Sequence, residues 1–196
     1  PTKFLGSFDP VASPSQMAKD HATLTPAEVL ERYRGALAGL TTVVESVPGE
    51  QWTTAVAEAP PGHLSLAATA LHALWDSWIH ERDIAIPLGL PLTEDAEEME
   101  LILRYAVGLS PSFHASMSAD KTGTLAIEAT DPDVSLLVHA GTSVRVTDGS
   151  NESSPRLQGR TVDLIEGLSH RAPLIHDLRD ADAWWLQGLA EVFDKA

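Results

Sequence analysis

Apolar side chains change their period partway along this chain. Up to about residue 110 they recur every three or four residues, and beyond about residue 124 they recur every second residue. A period of 3.6 asks for amphipathic helices and a period of two for half-buried strands, so the chain reads as α+β with its helices first. The Ser-rich stretch from Pro111 to Gly123 separates the two regimes, which divides the chain into residues 1–115 and residues 116–196.

Each helix carries its own punctuation. Thr25, Pro26 and Glu28 have the form of a capping box with proline at the first helical position, and Leu30, Tyr33, Leu37, Leu40, Val44 and Val47 follow as a stripe of the kind a bundle buries, until Pro48-Gly49. After a Pro60-Pro61-Gly62 turn, Ser65 can cap a helix with Leu71, Leu74, Trp75, Trp78 and Ile79 that runs to about Ile84, with Pro87 and Gly89 closing it. Thr93 is the expected cap of the next helix, whose Glu94, Asp95, Glu97 and Glu98 suit the positive end of a helix dipole. Residues 1 to 24 lack periodicity and read as a loop that includes His21.

Beyond the boundary, Leu125 to Ala129, Val134 to Val138 and Val144 to Val146 predict a three-stranded antiparallel meander, with Asp131-Pro132-Asp133, Gly141 and Asp148-Gly149 as turns. Two helices, about Thr161 to Ser169 and Ala181 to Asp194, complete an α/β domain. Trp184-Trp185 on the last helix reads as core.

Charge and cysteine content exclude several classes. With 13 Lys and Arg against 28 Asp and Glu the formal charge is −15, which argues against nucleic acid and anionic membrane surfaces as partners. There is no cysteine, so a disulfide framework, a thiolate metal site and a protein thiol nucleophile are excluded, and any thiol must arrive on a small molecule. No apolar run approaches the roughly 20 residues a bilayer needs, and the expected location is cytoplasmic.

The densest chemistry lies between His72 and Asp83. His72, Asp76 and His80 are four apart and share one helical stripe. His72 and His80 would stand about 12 Å apart, so Asp76 and His80 are the pair able to share a divalent cation, given a third ligand from another helix. The same spacing equally suits a structural imidazole–carboxylate hydrogen bond, and spacing does not choose between the two. His63, His114, His139, His170 and His176 have no partner spacing.

The run Leu74 to Ile84, reading LWDSWIHERDI and followed by Pro87-Leu88-Gly89, resembles the signature helix of the mycothiol-dependent maleylpyruvate isomerase family of the DinB-like superfamily. Leu157-Gln158-Gly159, Asp163-Leu164, Leu168 and Arg171 resemble that family's C-terminal block, which has a sterol-carrier-like α/β fold. The resemblance implies a helical bundle holding a divalent metal, usually zinc, through one His of the first helix and a carboxylate and His of a later one, with mycothiol supplying the nucleophile. Carried over, Asp76 takes the carboxylate position, where the family pattern has Glu, and His80 the later-helix His. Arg171 matches a basic position and could fork onto a substrate carboxylate or answer a helix dipole.

The expected function is therefore metal-assisted, thiol-dependent isomerisation or transfer on a small electrophile. The rivals are a non-catalytic ligand- or partner-binding member with a structural Asp76-His80 pair, and one subunit of a split enzyme. On this reading the bundle's first helix, with the remaining His, lies upstream of Pro1. A second polypeptide or subunit is then expected to cover the Leu30 to Val47 stripe and the Leu71, Trp75 and Trp78 surface.

Overall fold

A computed structural model describes residues 12–59, 62–117 and 121–193. Helices dominate the N-terminal part and a sheet the C-terminal part, so the fold is mixed α+β. The chain forms two compact units, Pro1–Ala70 and Leu71–Ala196. They part within the fourth helix, while the change of period falls at the end of the fifth.

The first unit holds α1 (Ala12–His21), α2 (Pro26–Ser46), the single turn α3 (Gln51–Thr54) and the strands β1 (Val56–Ala59) and β2 (Gly62–Ser65), which pair antiparallel. The expected loop over residues 1 to 24 is thus corrected in its second half: His21 ends α1, its Nδ1 2.7 Å from the Met17 carbonyl one turn back. Residues 1–11, Pro60 and Pro61 lie outside the described residues. The capping box forms in full: the Glu28 amide donates to Thr25 Oγ1 and the Glu28 carboxylate accepts from the Thr25 amide. The α2 stripe stands largely exposed, Leu37 and Leu40 about half so, whereas Trp75 and Trp78, the other surface expected to need a cover, are buried by the chain itself.

The fourth helix, α4 (Leu66–Leu88), starts where Ser65 Oγ accepts the Ala68 amide. It runs four residues past Ile84 and ends on Gly89, whose φ of +63° suits glycine. There the Gly89 amide donates to the Ile86 carbonyl and the Leu90 amide to the Ala85 carbonyl, the paired bonds of a Schellman ending. The fifth helix, α5 (Ala96–Met117), is capped by Asp95 rather than by Thr93, since Asp95 stands three residues before the amide it accepts, that of Glu98. It also continues through Pro111, whose buried ring costs one backbone bond while the surrounding helix stays packed against α7 and the sheet.

The second unit is built on a sheet of β3 (Gly123–Thr130), β4 (Val134–Ala140), β5 (Val144–Asp148) and β6 (Arg156–Arg160), in the order β5-β4-β3-β6. The meander is correct for the first three, but the sheet has a fourth strand, β6, parallel to β3. Leu157 alone of β6 enters the core, so the strand shows no alternation of period two. Leu125, Ile127, Leu136 and Val138 face α5, α6 (Thr161–Leu168) and α7 (Trp184–Phe193), which supply Ile102, Leu103, Ile165, Trp185 and Leu189 to one core. Thr161 opens α6 fully buried, its hydroxyl within reach of the Thr130 and Pro132 carbonyls.

Candidate functional site on the fourth helix

Two faces of α4 do different work. Trp75, Trp78, Ile79, Arg82 and Ala85 are buried, whereas Asp76, His80 and Asp83 stand outward one turn apart. The first set follows the apolar 3.6 period, and the second occupies the positions between, so one rigid helix anchors itself and presents polar groups.

The sequence-derived pair comes together: His80 Nε2 lies 3.6 Å from Asp76 Oδ1. His80 Nδ1 lies closer to a second carboxylate, 3.3 Å from Asp83 Oδ2. Asp83 in turn takes the fork of Arg171, whose Nε and Nη2 donate to its two oxygens at 2.9 and 2.8 Å. Arg171, expected to offer that fork to a substrate, gives it to Asp83 instead, and its Nη1 donates to the Ser169 carbonyl at 3.1 Å. The Arg171 hydrogen bonds hold the Asp83 carboxyl below its ordinary pKa, and Asp83 raises that of the guanidinium.

Further toward the N-terminus of α4, His72 Nδ1 is 2.8 Å from the Tyr105 hydroxyl of α5, with Trp75 packed against both rings. Burial lowers the His72 pKa against the pull of Asp76, and burial raises that of Tyr105. The Trp75 indole donates to the buried Ser169 hydroxyl at 2.9 Å. Arg82 lies over the Trp78 ring and pairs with Glu166 at 2.7 Å and Glu94 at 3.4 Å, joining α4 to α6 and to the start of α5. Between Trp78, Arg82, Asp83, Ile86, Glu166 and Arg171 a cleft of about 240 Å³ opens.

Asp83 was within reach of sequence reasoning, because three residues after His80 is the other spacing at which helical side chains meet. Tyr105, Ser169 and Glu166 were not, since nothing local marks a residue 33, 94 or 84 positions from its partner. The remaining histidines sit apart. His114 packs on Trp184, His139 lies between the Thr124 and Thr147 hydroxyls, His176 is exposed and the His63 side chain falls outside the description. Trp184 and Trp185 stack 4.1 Å apart in the core, as expected.

As a metal centre the set is short. Asp76 and His80 provide two donors, a catalytic zinc uses three protein ligands, and among the described residues no group of three or more His, Asp or Glu side chains is arranged to hold an ion. No helix of the described residues is long and apolar enough to cross a membrane.

An α+β chain with an ionisable stripe on its fourth helix and no thiol of its own is a class with a counterpart. Residues 5–85 match the family model of the mycothiol maleylpyruvate isomerase N-terminal domain. The matched stretch includes Asp76, His80 and Asp83. No curated protein and no solved structure matches the chain.

Proposed function

We propose that the chain is a cytoplasmic, mycothiol-type isomerase or transferase that turns over a small electrophile with a thiol brought by its cosubstrate. The observation that carries this reading is the exposed Asp76, His80 and Asp83 stripe on α4, inside the stretch that matches the family and in a chain without cysteine. His80 Nε2 faces outward and can take the proton of an incoming thiol. The thiolate then adds to the β-carbon of a conjugated electrophile while the C=C π pair moves toward the conjugating carbonyl. The adduct either takes the proton back from His80 as the transfer product, or rotates about the now single bond, re-forms the double bond and expels the thiolate, which regains that proton, to give the isomer. A divalent cation, zinc in the family reading, would need a third donor beyond Asp76 and His80, which a second polypeptide would have to bring.

A second reading, a binding protein with a structural pair, is favoured by the contact that Asp76 and His80 already make. Turnover of a thiol with a conjugated electrophile separates the two. Thiol-dependent product formation that His80→Ala abolishes, in a variant with native helical content, supports the enzyme. A wild-type rate no faster than the uncatalysed one sinks it. Metal analysis after purification without chelators adds an independent arm: about one ion per chain, lost in His80→Ala, is expected where the second polypeptide co-purifies and supplies the third donor.

A further inference from the structure

A line of hydrogen bonds leads from the core of the second unit to the exposed His80 ring. The Trp75 indole and the Arg171 Nη1 both donate to Ser169, one to its hydroxyl and the other to its carbonyl, and Ser169 is fully buried. Arg171 then holds both oxygens of Asp83, and Asp83 Oδ2 meets His80 Nδ1.

We propose that Arg171 and Asp83 are positioning residues, which act through His80 by fixing its tautomer and ring direction so that Nε2 is the nitrogen presented outward. This rests on the reading of His80 as the working group of α4, and it assigns Arg171 a part other than direct substrate contact.

The chemistry is that of a satisfied acceptor. A carboxylate gripped at both oxygens by a guanidinium is ionised and can only accept, so the proton shared with His80 belongs on Nδ1. A neutral imidazole carries one proton, and placing it on Nδ1 leaves the Nε2 lone pair free. Asp76 is the competing acceptor at Nε2, but at 3.6 Å it stands beyond hydrogen-bond length, whereas Asp83 at 3.3 Å is nearer and is itself immobilised. Asp83 without Arg171 would be a half-exposed side chain free to turn to water, and holding it would cost rotamer entropy. An imidazole that hands one N–H to an oriented carboxylate has its other nitrogen fixed in direction, whether that nitrogen takes a proton or a metal ion.

The test is the tautomer itself, read on the metal-free full chain by long-range proton–nitrogen correlation of the imidazole rings, at a pH where they are neutral, with His80 assigned through His80→Gln. Free histidine favours the Nε2–H form; the expected result here is a predominant Nδ1–H form at His80. Arg171→Gln and Asp83→Ala should each return His80 to the ordinary preference. A wild-type ring in the Nε2–H form overturns the proposal, and so does an Nδ1–H ring that neither variant changes. The wild-type spectrum decides even if one variant fails to fold. Once a thiol-dependent rate is in hand, Arg171→Gln should lower kcat and leave KM within about twofold, whereas a rise in KM alone would return Arg171 to the substrate and overturn its positioning role. The predicted tautomer without any turnover would refute the enzyme reading and leave the Arg171–Asp83 pair in place.

Discussion

Gly188 is the residue of α7 at which the smallest substitution should do the most harm. A Cβ built there would lie 2.1 Å from the Ser110 carbonyl oxygen of α5, 2.8 Å from its carbon and 3.1 Å from its Cα. All three atoms are backbone, so no side chain can swing aside, and α7 would have to shift by about 1 Å to restore ordinary contact. Helix propensity pulls the other way, because Ala is favoured over Gly by about 1 kcal/mol in a helix interior. Overpacking of this kind costs about 1–3 kcal/mol, occasionally more. The ceiling is full undocking of α7, which would expose Trp184, Trp185 and Leu189, all buried, at about 1.5–3 kcal/mol each. Gly188→Ala is therefore expected to destabilise the second unit by about 1–3 kcal/mol, a fall of about 3–5 °C per kcal/mol in a thermal melt followed by tryptophan fluorescence. Gly39→Ala is the control. It lies within α2 with nothing within 4 Å of its added Cβ, and should instead raise helix stability by about 0.5–1 kcal/mol. A Gly188→Ala protein that melts at or above the wild-type temperature would refute the close approach of α7 to α5.

Ser169→Ala leaves the Trp75 indole without its hydroxyl acceptor at almost constant volume, and should cost about 1–3 kcal/mol in a urea titration; an unchanged midpoint would mean the bond contributes nothing. Asp83 has its folded pKa lowered, chiefly by the Arg171 hydrogen bond, so its contribution is present above the unfolded value of about 3.9 and lost as pH falls through the lower folded one. The pair is partly exposed and screened, so that contribution should be under about 1 kcal/mol, and Asp83→Asn should flatten this part of the acid limb. His72 is held neutral by burial, so stability should be complete above about pH 6.5, the unfolded value, and decline as pH falls toward the lower folded pKa. Equal urea midpoints at pH 7.5 and 5.5, in wild type and His72→Gln alike, would show that the imidazole is not desolvated.

What the sequence disclosed and what it hid divide along the range of the interactions. The capping box at Thr25, the Ser65 cap and the Gly89 ending are decided within five residues, and all three form. The strand β4 buries alternate side chains, and β3 departs from that pattern only at the small Ala126, so their period is written in the chain. The strand β6 escapes because its place is set by pairing with β3, which is some 30 residues earlier, and not by its own apolar pattern. Pro111 misleads in the opposite direction, since a local helix breaker is overridden when the helix on both sides of it is packed. At the site, the i, i+4 contact of Asp76 and His80 is local and legible, whereas the Arg171 fork depends on the fold bringing residues 83 and 171 together.

The engagement of Arg171 also bears on how an anionic substrate could be recognised. In a chain with 28 acidic and 13 basic residues, guanidinium groups are short of free faces: Arg82, Arg104, Arg156, Arg160 and Arg179 each have a carboxylate beside them as well. A substrate carboxylate that displaced Asp83 from Arg171 would exchange one ion pair for another like it and leave Asp83 charged, without its guanidinium, next to the incoming anion. The exchange yields no net pair energy, while the ligand still loses its translational freedom. Removing the resident acceptor should change that balance. If the pair is worth up to about 1 kcal/mol, Asp83→Ala should raise the affinity of this site for acetate by up to about fivefold, followed as the shift of the Arg171 side-chain N–H resonances on titration. Wild-type protein that binds acetate at Arg171 as tightly as the variant would show that Asp83 does not occupy the fork in solution, and the direct substrate role of Arg171 would stand.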